Sequence, residues 1–272
     1  MEETPRKQRP APTPPAHAPA RWVRKVLCWL LAVEGLIVAL DVVFNYLAVI
    51  DDEGIQEMFN VARELSVGNW FSSMQEFAVA TVLWLLYLRE RDAGARGWSR
   101  RGWAVLAGLF AYIAVDDGVQ IHERVATAVA DFFTLTAEGG AIHSGPVGWL
   151  GRFVEWFPSY PWQVLFGPVF AAFGLFMVWF LWRELDRKSA LTIFLGLFLY
   201  GLAQGQDYVE GLGTPYESLT AALSLEPYTV PHFAKVAEES LEMLGTTIVL
   251  YVLLLRWGRS DTADEVGAGA PL

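Results

Sequence analysis

One cysteine, four histidines and twenty basic residues against thirty acidic ones set the first limits on this chain. The lone cysteine, Cys28, sits in an apolar run. It leaves no partner for an internal disulfide and no thiolate set for zinc. The formal net charge of −10 offers no basic footprint for nucleic acid. The sequence has no Gly-x-Ser-x-Gly elbow, no His-Glu-x-x-His pair and no phosphate-binding glycine loop.

What the chain has in abundance is apolar surface. Of 272 residues, 54% are hydrophobic and 14% aromatic, with 12 tryptophans. A mean hydropathy of +0.32 places it in the membrane class. A transmembrane helix needs roughly 20 mostly apolar residues. Six runs qualify, at about 22–50, 70–89, 102–123, 162–182, 189–209 and 232–257. The first is too long for a signal-peptide core and reads as a retained anchor. Residues 1–20, rich in Pro and Ala, read as a disordered tail, and 259–272 as a second one. The expected fold is therefore all-α. It is a six-helix transmembrane domain over 21–258.

Lysine and arginine in short loops set orientation. Arg21, Arg24 and Lys25 precede the first run. Arg89, Arg91, Arg96, Arg100 and Arg101 follow the second, Arg183, Arg187 and Lys188 the fourth, and Arg256 and Arg259 the sixth. With six alternating helices all of these fall on one side, so both termini are expected in the cytoplasm of a multi-pass inner (plasma) membrane protein. The loop at 51–69 carries Asp51, Asp52, Glu53, Glu57 and Glu64 against Arg63 alone. The loop at 124–161 is broken by Gly139-Gly140 and Gly145-Pro146. A short helix is expected from Tyr216 to Ser224.

Charged groups at membrane depth are costly and usually face a partner or a wet cavity. In the first helix Glu34, Asp41 and Asn45 form one stripe by their spacing of seven and four. Asn69, Ser72 and Glu76 share a face of the second. In the third, continued as a helix to 123, Asp116, Gln120 and Glu123 share a face. Asp117 then looks toward a neighbour and His122 points away. The fifth brings Asp207 and Glu210, the sixth Lys235, Glu238, Glu239 and Glu242. The fourth carries little beyond Gln163 and is expected to face lipid. Gly201-x-x-x-Gly205 reads as close helix packing.

Ten carboxylates thus gather toward the extracytoplasmic side, with only Lys235 and Arg124 as nearby cations. Crowded carboxylates need protons, a cation or water. A divalent metal or another cation is the expected ligand. The expected metal ligands are Asp116, Glu123, Glu238, Glu242, Glu76, Asp207 and His122. Asp41, Asn45, Gln120, Asp117, Glu239 and Lys235 line the same site. Oxygen-rich ligation favours Mg, Mn, Ca or Fe, with Zn admitted if a histidine turns inward. The blander alternatives are helix ends emerging into water and, for Glu238, an acidic first turn complementing the helix dipole.

Dinuclear carboxylate sites in bundles use Glu-x-x-His pairs, and this chain has none. Ceramidase-like and adiponectin-receptor-like membrane hydrolases need three histidines in helices; only His122 and His232 lie near enough. A rhodopsin-type Schiff base needs a lysine deep in the last helix, whereas Lys235 stands at its mouth. Asp116-Asp117, then Ile121-His122-Glu123, then Glu238-Glu239 with Gly245 after it, resembles a group of uncharacterised bacterial multi-pass membrane proteins. Asp117-Gly118 departs from the Glu-Ala more usual in that pattern. The resemblance implies no activity, but it implies that the two acidic clusters belong together. Three functions stay open: a cation-binding site, which in an enzyme would serve metal-assisted chemistry on a lipid or small periplasmic substrate; a proton or cation transporter; and a non-catalytic partner subunit or sensor.

Overall fold

A computed structural model describes residues 21–138, 148–212 and 214–268. Every regular element among them is a helix. Helix α1, Arg21–Asp41, runs on as a five-residue π segment, Val42–Tyr46. The others are α2 (Glu53–Phe59), α3 (Val67–Asp92), α4 (Trp98–Val119), α5 (Ile121–Glu138), α6 (Gly148–Trp156), α7 (Pro161–Leu165), α8 (Gly167–Glu184), α9 (Arg187–Gly211), α10 (Thr214–Leu223) and α11 (Thr229–Ala268). Five are long and apolar enough to cross a membrane: α1 with its π segment, α3, α4, α9, and α11 as far as Gly258. The short helix expected at 216–224 is α10. The helix of α11 continues through 259–268, part of the expected C-terminal tail. Residues 1–20, the breakers at 139–147, and 269–272 lie outside the described residues.

Caps fix where the long helices begin. Ser66 Oγ accepts from Asn69 N at 3.2 Å to open α3, and Asp186 does the same for Ser189 N at 3.2 Å in α9. The fourth apolar run is broken at Phe166 into α7 and α8. Pro168 explains the break: it has no N–H, and its ring cannot follow the carbonyl of the residue four before it.

The long helices alternate in direction. Asn69 on α3 meets Asp117 on α4, while Ser99 at the start of α4 meets Glu184 at the end of α8. Gln206 on α9 bonds Ala234 on α11, and Arg89 at the end of α3 donates to Trp257 of α11. One end of the bundle therefore gathers Arg89, Glu90, Ser99, Glu184 and Arg256. The other gathers Asp41, Asn69, Asp117, Asp207 and Lys235. The half toward the basic end is filled by apolar side chains, including Leu83 and Leu86 of α3, Trp103 and Leu106 of α4, Phe180 of α8, Ile193 of α9 and Leu253 of α11. Trp29, Leu36, Phe77, Leu175, Trp182 and Phe198 face outward, as a lipid-facing surface requires.

Close helix approach does not fall at Gly201 and Gly205, where an added Cβ would meet open space. A backbone-to-backbone approach of this kind is found between α9 and α11, at Gly196 and Gly245. A Cβ on Gly196 would lie 2.9 Å from the Gly245 carbonyl oxygen, and the reverse distance is also 2.9 Å. The obstacle is backbone, which cannot rotate away. Gly196→Ala should therefore push α9 off α11 and cost about 1–3 kcal/mol as overpacking. Thermal unfolding in detergent micelles checks this, with Gly201→Ala as the neutral comparison.

Candidate functional site

The acid-rich end is built around Lys235. Its ammonium lies 2.6 Å from Glu238 Oε1, 3.7 Å from Glu239 Oε1, and 4.0 Å from both Asp207 Oδ1 and Glu210 Oε2. The spacing of α11 brings Glu238 and Glu239 beside Lys235, three and four residues on. The antiparallel packing of α9 brings Asp207 and Glu210. Asp207 also accepts from Gln163 Nε2 of α7 at 2.8 Å. One ligating oxygen from each of Asp207, Glu210 and Glu238 lies within 4.8 Å of the others. Glu238 is 3% exposed and its Oε2 has no hydrogen-bond partner; neither has Glu210 Oε2. At the rim, burial together with the Glu210 and Asp207 charges pushes the Tyr160 hydroxyl up to about 12. One ammonium thus serves four carboxylates.

A second acidic corner forms where α4 meets α5. The helix expected to run through 123 stops at Val119, and Gln120 turns left-handed at φ 55°. The corner redirects the side chains. Asp116 Oδ1 accepts from His122 N at 2.9 Å, and its Oδ2 meets His122 Nδ1 at 2.6 Å. His122 thus turns toward Asp116 rather than away, and Trp162 packs edge-on to its ring at 4.7 Å. Gln120 and Glu123 pair with each other at 3.0 Å and stay half exposed. Asp117 faces α3, accepting from Ser73 Oγ at 2.9 Å and from Asn69 Nδ2 at 3.4 Å. Glu64 approaches from the connection before α3; burial and the Glu123 charge hold its carboxyl above the usual range.

Burial alone would depress the His122 imidazole, but the Asp116 hydrogen bond and charge, with Glu123, outweigh it and raise its affinity for a proton. A raised folded-state value means the pairing contributes fully below the ordinary histidine range and fades as pH climbs through the raised value. The stability of wild-type protein should therefore fall as pH rises above the ordinary histidine range. His122→Gln should flatten that slope, read by unfolding midpoints across the range.

A third cluster ties α1 to α11. The side chains of Asp41 and His232 are fully buried. His232 Nε2 meets Asp41 Oδ2 at 2.8 Å, and His232 Nδ1 meets the Tyr228 hydroxyl at 2.7 Å. Asp41 Oδ1 accepts from Val61 N at 3.0 Å and Asn45 Nδ2 at 3.3 Å. One layer deeper, Glu34 Oε1 accepts from Gln75 Nε2 at 2.7 Å and Thr247 Oγ1 at 2.5 Å. Glu76 Oε1 accepts from Tyr200 at 3.4 Å in the same layer.

The seven expected metal ligands therefore separate. Among the described residues only Asp207 and Glu238 belong to a group of three close enough to share an ion, with Glu210 as the third. Asp116 and His122 satisfy each other, Glu123 stays at the rim, and Glu76 lies deeper. Glu242 accepts from Gln204 at 3.2 Å, one turn in from Glu238. Asp41 and Asn45 belong to the histidine cluster. Glu210, Gln163 and His232 were not among the expected site residues. Their signals were an acid three residues after Asp207, the one amide in an apolar run, and a histidine four residues after Tyr228.

A family model described as a domain of unknown function, DUF8692, matches residues 28–257, and the chain belongs to that family. No curated protein and no solved structure matches.

Proposed function

We propose that this member of the DUF8692 family is a cation-binding membrane protein. Its site is the group Asp207, Glu210 and Glu238, and its ligand is a divalent, oxygen-preferring ion. The observation that carries the reading is the convergence of three carboxylates from α9 and α11 within 4.8 Å, two of them holding a buried oxygen without a hydrogen-bond partner. Lys235 holds the site together when it is empty, but one positive charge against four negatives is a poor balance. A divalent ion improves it and satisfies the idle oxygens at hard-ligand distances of about 2.0–2.6 Å.

In this reading α8, 18 residues long and antiparallel to α4, is a sixth span. Both termini then lie with the arginine-rich end in the cytoplasm, and the site opens outward across an inner membrane. Metal-assisted chemistry on a lipid or a small periplasmic molecule is the matching reaction class if the site is catalytic. Binding fits better than transport, because the apolar core fills the bundle below the Glu34 and Glu76 layer and offers no onward polar path.

Manganese is a convenient probe. Titrating Mn2+ into the protein in nanodiscs and following the free-ion EPR signal should show one saturable site per chain. Glu238→Gln should weaken it by roughly tenfold or more, the loss of one charged ligand being worth at least about 1.4 kcal/mol. Equal binding by wild type and Glu238→Gln would place the ion elsewhere.

A further inference from the structure

In the second and third turns of α3, three side-chain oxygens are buried without a hydrogen-bond partner: Ser72 Oγ, Gln75 Oε1 and Glu76 Oε2. The residues are 2%, 3% and 2% exposed. Spacings of three and four put them on one face of the helix. This turn belongs to a membrane-length helix, where an idle polar atom has no bulk water to turn to.

The remaining polar atoms of this turn are already committed. Gln75 Nε2 donates to Glu34 Oε1 at 2.7 Å and to Thr247 Oγ1 at 2.8 Å, so its carbonyl oxygen is the atom left over. Glu76 Oε1 takes the Tyr200 hydroxyl, which also pairs with Thr246. The Ser72 hydroxyl is the one group able to donate to its neighbours, and it reaches neither of them. The turn therefore presents an amide oxygen, a carboxylate oxygen and a hydroxyl oxygen with nothing to accept from.

We propose that Ser72, Gln75 and Glu76 form a mid-bundle site for a small, desolvated monovalent cation of the sodium class. The donor set is all oxygen, which suits a hard cation rather than one that prefers nitrogen or sulfur. It contains a single carboxylate, so one positive charge closes it to neutrality, whereas a divalent ion would leave a net charge deep in the bundle. Glu34 does not compete, because two neutral donors already serve it. Polar side chains continue from it toward the acidic end: Thr246 donates to the Glu242 carbonyl one turn outward, and Gln204 donates to the Glu242 carboxylate. Below the site the apolar core closes the bundle. The site does not depend on the divalent one at Asp207, Glu210 and Glu238.

The test is thermal unfolding of the full chain in micelles with EDTA present, at constant ionic strength, exchanging sodium chloride for choline chloride. Sodium should raise the wild-type midpoint saturably by several degrees. Glu238→Gln should keep the sodium response, while Ser72→Ala and Glu76→Gln should lose most of it. Ser72→Ala removes one oxygen only and decides the matter even if Glu76→Gln folds poorly. Identical wild-type midpoints in the two salts would overturn the site, as would a response kept by Ser72→Ala. A midpoint that moves with pH but not with sodium would assign the turn to a proton instead.

Discussion

His232→Ala should cost about 3–5 kcal/mol, among the largest losses any single side chain in this bundle can cause. The fully buried Asp41 carboxylate is held by three partners, the Val61 amide, the Asn45 side chain and His232, of which His232 is the one chargeable member. Without the imidazole, Asp41 keeps the Val61 amide and the Asn45 side chain but loses its partner at 2.8 Å. A carboxylate stranded in a dry interior is destabilising far beyond the contact removed. The loss spreads because the same histidine anchors Tyr228, which Asn60 contacts at 3.4 Å, so α1, the connection after α2, and α11 all loosen together. Unfolding midpoints in micelles test this. Combining His232→Ala with Asp41→Leu should recover part of the loss, since removing both partners is far cheaper than stranding one. A single variant within about 1 kcal/mol of wild type would mean that the pair is no anchor.

Lys235→Met should have the largest effect on binding. The lysine ammonium sits where a metal ion would sit, 2.6–4.0 Å from four carboxylates. At about 4 Å and an effective dielectric near 20, one such charge pair is worth about 4 kcal/mol, so even a strongly screened remainder is large. Divalent affinity should rise by roughly tenfold or more, each factor of ten being about 1.4 kcal/mol. The metal-free variant should at the same time unfold at a lower temperature, because four acids have lost their internal counter-charge. Isothermal titration with Mn2+, beside midpoints with and without the ion, reads both effects. Weaker binding in Lys235→Met would make the lysine a structural part of the ligand site rather than its competitor.

Much of the architecture was legible because lipid imposes a simple rule: long apolar runs become helices. The apolar runs marked the five membrane-length helices, and the arginines marked one end. The break inside the fourth run was not anticipated, although Pro168 supplies its physical cause. Local geometry was harder. The one breaker near the corner, Gly118, stays inside α4, and the left-handed turn at φ 55° falls on Gln120, which is neither glycine nor proline. Extending α4 as a straight helix therefore sent His122 the wrong way and joined Gln120 and Glu123 to Asp116. The glycine motif misled for a similar reason. Gly201 and Gly205 have the spacing of a packing face, but Gly196 and Gly245 make the contact, and no pattern within one helix reveals a pair on two. The acid group could be seen only in pieces. Asp207 and Glu210 share a face by spacing, yet their meeting with Lys235 and Glu238 depends on the register between α9 and α11. That register is set by the glycine contact deeper in the bundle. Lys235 was expected at the helix mouth, lining the acidic site, and the fold sets it beside four of the acids.

The central claim is that Asp207, Glu210 and Glu238 hold a divalent ion. Elemental analysis of the native protein, purified gently without chelator in neutral buffer, tests it most directly. The native protein should carry close to one equivalent of a divalent metal per chain, lost on EDTA treatment and clearly reduced in Glu238→Gln. A native protein that carries no stoichiometric metal, and takes none up when Mn2+, Mg2+ or Ca2+ is restored, would contradict it.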